Sequence, residues 1–550
     1  MNFDAVLIAQ RRARCIQAGL WRDQTINDAL DTAVHERPQQ LALTAWRTED
    51  GHVRRFTYAE LARMADRMAV GLHRLGVRQN DVVACQLPNW WRFTLLYLAC
   101  ARLGAVLNPL MPIFRERELK FMLQHGEAKV MVVPQTFRNF DHAGMLRQLR
   151  TELPQLQHLL VIGGTGVESF EAALTDPAWE ETADAHAILH TTRPSADDVM
   201  QLMYTSGTTG EPKGVMHTAN TVGANIWAYA ERLHLGADDV ILMASPMAHQ
   251  TGFMYGLLMP IMLGARAVLQ DIWNPEKAAQ IIREEGVSFT MASTPFLSDL
   301  ARVVADSGQG VPSLHTFLCA GAPIPGPLVE QARSALGAKI ISAWGMTENG
   351  AVTLIRPEDA DERAIHTDGL PLPGVEIKVV DVDGSSLPAG ETGQLWLRAC
   401  SNFGGYLKRP QLNGTDAEDW FDTGDQARID AQGYLRITGR SKDVIIRGGE
   451  NIPVLEVETL LYKHPAVLQA AVVGYPDTRL GERACAFVVL RPGQQLLLED
   501  MVAYFKGQRL TTQYIPERLE ILPAMPSTPS GKIQKFRLRE QLKALLIPVA

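Results

Sequence analysis

At 550 residues the chain is too long for one hydrophobic core, so two or more domains are expected. With 46% hydrophobic and 21% charged residues it has the composition of a soluble globular protein, and a net charge of −8 argues against a nucleic-acid partner, which would favour a basic face. The six cysteines are scattered without a C-x-x-C pair and read as reduced core residues, which points to the cytoplasm. The N-terminus places Asp4 before a short apolar stretch and does not read as a secretory signal. The longest apolar run, residues 252–265, is interrupted by glycines and Pro260, so it predicts a buried helix and no integral membrane segment.

Along the first two hundred residues helix and strand signals alternate. Residues 58–75 place Leu61, Ala65, Met68, Leu72 and Leu75 on one helical face. Residues 82–85 follow as a strand, 91–103 as a buried helix and 130–133 as another strand, a pattern that predicts an α/β fold with helices on mostly parallel sheet. The glycine-rich residues 163–166 have no lysine or helix signature after them and read as a plain loop. From about residue 366 short strands at 376–381, 394–398 and 434–438 suggest a small β subdomain. After Gly439 the pattern becomes a compact α+β unit: a helix over 454–464, strands at 470–473 and 484–490, and a helix over 499–510. A boundary is placed at 439–442, giving domains 1–439 and 440–550.

The densest chemistry lies at residues 204–214, Y-T-S-G-T-T-G-E-P-K-G, preceded by a short strand pattern. Thr205, Ser206, Thr208 and Thr209 offer hydroxyls, Gly207, Gly210 and Gly214 let backbone N–H groups close on an anion, and Lys213 adds a point charge. A polar surface turn is the bland alternative, but eleven ordered residues behind a strand favour a grip on polyphosphate. A P-loop would need a Gly-Lys-Ser/Thr ending that opens a helix, and Pro212-Lys213-Gly214 does not supply it.

Five further segments follow: P-M-A-H-Q-T-G at 246–252, A-W-G-M-T-E at 343–348, W-F-D-T-G-D at 420–425, G-R-S-K-D-V-I-I-R-G-G-E-N-I at 439–452 and P-S-T-P-S-G-K at 526–532. In this order and spacing they resemble the adenylate-forming superfamily of acyl-CoA synthetases, non-ribosomal adenylation domains and luciferases, over essentially the whole chain. The finer likeness is to bacterial CoA ligases for short-to-medium-chain fatty acids or cyclohexanecarboxylate.

The resemblance implies two half-reactions with ATP, Mg2+ and coenzyme A: a carboxylate attacks the α-phosphate to give acyl-AMP and pyrophosphate, and the CoA thiol then displaces AMP. It implies that residues from Thr205 to Lys213 hold the β- and γ-phosphates, Thr347 contacts the α-phosphate and Glu348 binds Mg2+. It further assigns the ribose hydroxyls to Asp425 with Arg440 in support, and the adenine slot to Gly321, Ala322 and Pro323. Lys532 would reach the carboxylate and α-phosphate during adenylation only. Lys442 would be the hinge of a mobile C-terminal lid, and Gly449 would line the pantetheine tunnel. His249 would shape the acyl pocket and gate the thiol's path, with a satisfied core histidine as its plain alternative. Singly, Thr347, Glu348, Asp425 and Lys532 would be ordinary cap, turn or surface residues.

For the acid, the lining expected from Phe253, Met254, Tyr255, Ala343 to Met346, Ala351 and Val352 carries no charge, so an apolar acid is expected. Acetate-specific relatives carry tryptophan where this chain has Gly345, which implies room for an acid larger than acetate. Gln411 and Ser527 depart from the usual glutamate and basic residue of the family. A carrier-protein-loading adenylation enzyme is the rival function, although no aspartate follows His249 to bind a substrate ammonium and no carrier domain follows residue 550. A lysine acetyltransferase acting on Lys532 and a second copy of the chain are the further partners this reading admits.

Overall fold

The computed structural model describes residues 1–546 other than 192, 206–210, 322–323, 441–444, 448–449, 478–480, 509, 511 and 529–530. Hydrophobic patterning sets the elements. In the helix Tyr58–Arg74, Leu61, Ala65, Met68 and Leu72 are buried, and Thr57 starts it by accepting from the Glu60 amide in a capping box. The helix Trp91–Leu103 is buried along most of its length and ends at Gly104 in the left-handed region.

Among the described residues these elements build two large sheets. In the first, six strands run parallel: Leu41–Trp46, Arg266–Gln270, Val240–Met243, Phe289–Ala292, Thr316–Ala320 and Lys339–Met346. Antiparallel neighbours, Val53–Thr57 on one side and Gly350–Leu354 on the other, flank them. In the second, five parallel strands end at Val199–Thr205, to which Lys213–Thr218 pairs antiparallel, followed by Gly405–Tyr406. One apolar cluster draws side chains from both sheets and from the helices Tyr58–Arg74 and Trp91–Leu103. The expected α/β architecture is therefore present, with parallel centres and antiparallel margins.

A smaller antiparallel sheet holds Val375–Val380, Gly393–Ala399, Phe421–Ile429 and Leu435–Arg440. This is the expected β subdomain. The C-terminal part has its own sheet, in which Val467–Asp477 and Gly481–Leu490 pair, Arg518–Ile521 lies parallel to the latter, and the helices Val454–Lys463 and Leu498–Gly507 contribute to one apolar cluster with it. Arg440 is still paired, opposite Asp425, within the subdomain sheet, while Ile445–Arg447 already belongs to the C-terminal sheet. The change of sheet thus falls after Arg440. No helix among the described residues is long and apolar enough to cross a membrane, and the run 252–265 forms consecutive helical segments with a π-helical stretch at Phe253–Leu258.

Candidate active site

Parallel strands present their carboxyl ends on one edge, and loops there converge. In the first sheet that edge carries His249 after Val240–Met243, Ser293 after Phe289–Ala292, Gly321 after Thr316–Ala320, and Thr347 with Glu348 after Lys339–Met346. Motifs spread over a hundred residues are brought together by strand order alone.

The polyphosphate loop joins two antiparallel strands, with Thr205 directly opposite Lys213. The strand before it is therefore followed by a second strand and not by a helix, consistent with the lack of a P-loop ending. Ser206, Gly207, Thr208, Thr209 and Gly210 lie outside the described residues. The loop's flank is anchored from the facing segment: Leu407 donates its amide to the Gly214 carbonyl at 2.8 Å, and Arg409 pairs with Glu211 at 2.5 Å. The Lys213 ammonium donates to the Tyr406 hydroxyl at 2.8 Å and sits 4.0 Å from the centre of its ring.

Glu348 is 4% exposed, and its Oε1 accepts from the Tyr406 hydroxyl at 2.6 Å. Among the described residues no group of three or more His, Cys, Asp or Glu forms a metal cluster. A single buried carboxylate is the donor set suited to Mg2+, which prefers one or two carboxylates plus substrate phosphates to a protein cage. Glu348 fits that ion. Its neighbour Thr347 is fixed through the backbone, where the His217 Nε2–H donates to the Thr347 carbonyl at 2.8 Å. Nδ1 of His217 meets the Thr221 hydroxyl at 3.0 Å, and burial pushes this imidazole down to about 4, so it is neutral near pH 7.

Asp425 is 5% exposed and accepts from the indole Nε1–H of Trp344 at 2.9 Å, while its amide donates to Thr423 Oγ1 at 3.1 Å. Arg440 stands opposite it in the strand register. Gly321 takes a φ of +91° at the end of its strand. Ala322 and Pro323 lie outside the described residues, as do Lys442 and Gly449.

Lys532 belongs to the C-terminal part, in a turn where its amide donates to Thr528 Oγ1 at 3.0 Å. The turn is seated on the large domain. A Cβ on Gly531, whose φ is +80°, would stand 2.7 Å from Ser293 Oγ and 3.1 Å from Pro295, so only glycine allows this approach. His249 caps the helix Gln250–Gly252, its Nδ1 accepting from the Thr251 amide at 3.4 Å. Burial first, and then the Lys532 charge, hold His249 down at about 4. The seated turn thus brings the Lys532 charge within electrostatic reach of His249, although 283 positions separate them in the chain (532 − 249).

The residues expected to line the acyl pocket fall in two apolar clusters. Phe253, Met254 and Ala343 share one apolar cluster, and Phe253 meets the Tyr97 ring edge-on at 5.1 Å. Met346 instead packs with Trp344, Val352 and Tyr406 in the cluster of the β subdomain, because successive strand residues face opposite sides. Gly345 stands between Trp344 and Met346 in the same strand. A Cβ there would lie 1.9 Å from the Gly350 carbonyl oxygen, at an irregularity between the strands Lys339–Met346 and Gly350–Leu354. Glycine at 345 permits this close approach of backbone.

Tyr406, Trp344, His217 and Ser293 were given no role by the motifs. Trp344 stands inside the 343–348 segment, and His217 interrupts an apolar strand pattern. Those were the available signals. Gln411 is exposed in the turn Pro410–Leu412, and Ser527 donates to the Met525 carbonyl at 3.2 Å within the C-terminal loop.

A lysine at a strand pair, a buried single carboxylate, a second carboxylate oriented by an indole and a lysine from the C-terminal part are the groups a nucleotide-dependent adenylating enzyme needs. The chain belongs to the AMP-binding enzyme family: the family model matches residues 30–407, and the AMP-binding enzyme C-terminal domain matches residues 456–532. It is an AMP-forming acid ligase. It is 37% identical over 537 residues to the medium-chain fatty-acid–CoA ligase of Escherichia coli K12, covering 97% of this chain and 93% of that one. It is 33% identical to the salicyl-AMP ligase/salicyl-S-ArCP synthetase of Mycobacterium tuberculosis H37Rv, covering 98% of this chain and 95% of that one. The crystal structure of the anthranilate CoA ligase AuaEII in complex with anthranoyl-AMP superposes with a TM-score of 0.82 at 26% identity, covering 95% of this chain and 98% of that one.

Proposed function

We propose that the protein joins an apolar carboxylic acid larger than acetate, of the short- or medium-chain fatty or cyclohexanecarboxylate type, to coenzyme A through an acyl-AMP intermediate. The observation that carries this is the seating of the Lys532 turn, through Gly531, against Ser293 at the strand-end edge that also holds His249, Thr347 and Glu348. The resemblance to a medium-chain fatty-acid–CoA ligase at 37% identity supports the acid class, as do the uncharged side chains of Phe253, Met254 and Ala343, which offer no partner to a charged tail.

Adenylation brings two anions together, so cations and N–H donors must offset charge in the transition state. Lys213 and the hairpin loop hold the pyrophosphate being displaced, and Lys532 orients the attacking carboxylate toward the α-phosphate. Glu348 and the substrate phosphates hold Mg2+, which supplies charge neutralisation when bound. Asp425, with Arg440, fixes the ribose through two acceptor oxygens. His249, neutral near pH 7, orients without contributing charge. Rotation of the C-terminal part about Lys442, at a boundary following residues 1–439, withdraws Lys532 and admits the thiol past Gly449. Acetylation of Lys532 removes the positioned charge and silences the first half-reaction.

A carrier-protein thiol as acceptor is the second reading, favoured by the likeness to the salicyl-S-ArCP synthetase. One assay separates them: AMP release with acetate, butyrate, hexanoate, octanoate, palmitate, cyclohexanecarboxylate, benzoate and salicylate, with and without CoA. Turnover that rises with CoA and peaks on apolar acids beyond acetate is expected. AMP release indifferent to CoA with every acid would remove the CoA-ligase reading.

A further inference from the structure

The strand Gly405–Tyr406 pairs with Lys213–Thr218 at Val215 opposite Tyr406 and Met216 opposite Gly405. This pairing carries the Tyr406 hydroxyl between two charged groups. It accepts from Lys213 Nζ at 2.8 Å and donates to Glu348 Oε1 at 2.6 Å, with Tyr406 only 2% exposed. Its place is set from several sides. Asn413 Oδ1 accepts from the Tyr406 amide at 2.8 Å, and buried Arg11 donates to the carbonyls of Asn402 and Phe403 at 2.8 and 2.6 Å. The Phe403 amide in turn donates to the Glu348 carbonyl at 2.7 Å.

We propose that Tyr406 is a positioning residue for the metal-binding carboxylate, a neutral spacer that ties Glu348 to Lys213 while keeping the two charges apart. The inference rests on the role given to Glu348 above. A lysine in direct contact with Glu348 would compete with a cation for the same oxygens. A phenol has a single proton to give, so it occupies Oε1 and leaves Oε2 for the metal. Lys213, by donating to the phenol oxygen, polarises it and strengthens that single bond. The same hydroxyl therefore links the side chain at the mouth of the polyphosphate hairpin to the carboxylate that meets the metal on those phosphates.

The test uses the full chain with Tyr406→Phe, which keeps the ring under Lys213 and removes only the hydroxyl. Mn2+ binding is read by electron paramagnetic resonance in the presence of a non-hydrolysable ATP analogue, and AMP affinity is measured by calorimetry without metal. Mn2+ affinity should fall about tenfold, the size of one charge-assisted hydrogen bond, while AMP affinity stays within about twofold. In a Glu348→Gln background the same change should have no further effect on Mn2+, since the tethered carboxylate is gone. Unchanged Mn2+ binding, or a Tyr406→Phe protein that unfolds or loses AMP affinity in parallel, would overturn the proposal and leave Tyr406 a packing residue. Failure of the wild type to release AMP with any acid would instead refute the ligase reading, so the two failures are distinct.

Discussion

The indole of Trp344 offers the sharpest test of how the nucleotide site is built. Its Nε1–H donates to Asp425 Oδ2 at 2.9 Å, and the two residues are 8% and 5% exposed. Trp344→Phe keeps an aromatic ring and removes the donor. A hydrogen bond to a charged group contributes about 1.5–3 kcal/mol, and Asp425 keeps its turn through Thr423, so the lower figure applies. At about 1.4 kcal/mol per tenfold, AMP should bind roughly ten times more weakly. Trp344 also packs in the apolar cluster of the β subdomain, and the smaller ring should cost about 1–2 kcal/mol of stability. Calorimetric titration with AMP and with 2′-deoxy-AMP separates the effects. If Asp425 holds both ribose hydroxyls, the deoxy nucleotide should lose only about threefold on the substitution, because part of the contact is already missing. Equal losses for the two nucleotides, or none, would refute the assignment of Asp425 to the sugar.

Lys532→Ala should lower acyl-AMP formation by about 10²–10³-fold while leaving thioester formation from supplied acyl-AMP within a few-fold, and equal loss of both would contradict the domain-rotation reading. His217 gives a pH signature. Burial holds it at about 4 instead of 6.5, so as pH falls the unfolded chain takes up the proton first and stability declines between those values. Near about pH 5 this one residue should cost about 2 kcal/mol, and His217→Gln should flatten the fall in urea-unfolding free energy from pH 7 to 5 by that amount. Gly345→Ala forces a Cβ onto the Gly350 carbonyl and should destabilise by about 1–3 kcal/mol or more; a variant as stable as wild type would show that the strand can yield. Arg11→Leu removes a fully buried guanidinium bonded to Asp419 at 2.7 Å and should cost about 3 kcal/mol in urea denaturation, with Arg14 still pairing Asp419.

Much of this was legible in the chain itself. The 58–75 face, the 82–85 strand and the 91–103 helix appear with small shifts of boundary, because periodic burial is a local property that sequence encodes directly. The ordered motifs identified the family. Other features were not legible. Tyr406 meets Glu348 across 58 positions and Trp344 meets Asp425 across 81, and neither pair has a local signature. Alternation along a single strand also separates Met346 from Ala343, although the motif joins them.

The sequence by itself determined the class of the protein and its α/β architecture and singled out the candidate groups for its chemistry, since loop composition, hydrophobic period and motif order are properties of neighbouring residues. Only the tertiary structure decided how those groups are held. It gave Gly345 a backbone-contact role, because the distance to the Gly350 carbonyl depends on a neighbouring strand. It seated Gly531 against Ser293, because the carboxyl edge of a parallel sheet gathers distant loops. It also placed a phenol between Lys213 and Glu348, because pairing with Gly405–Tyr406 brings that ring to the mouth of the hairpin.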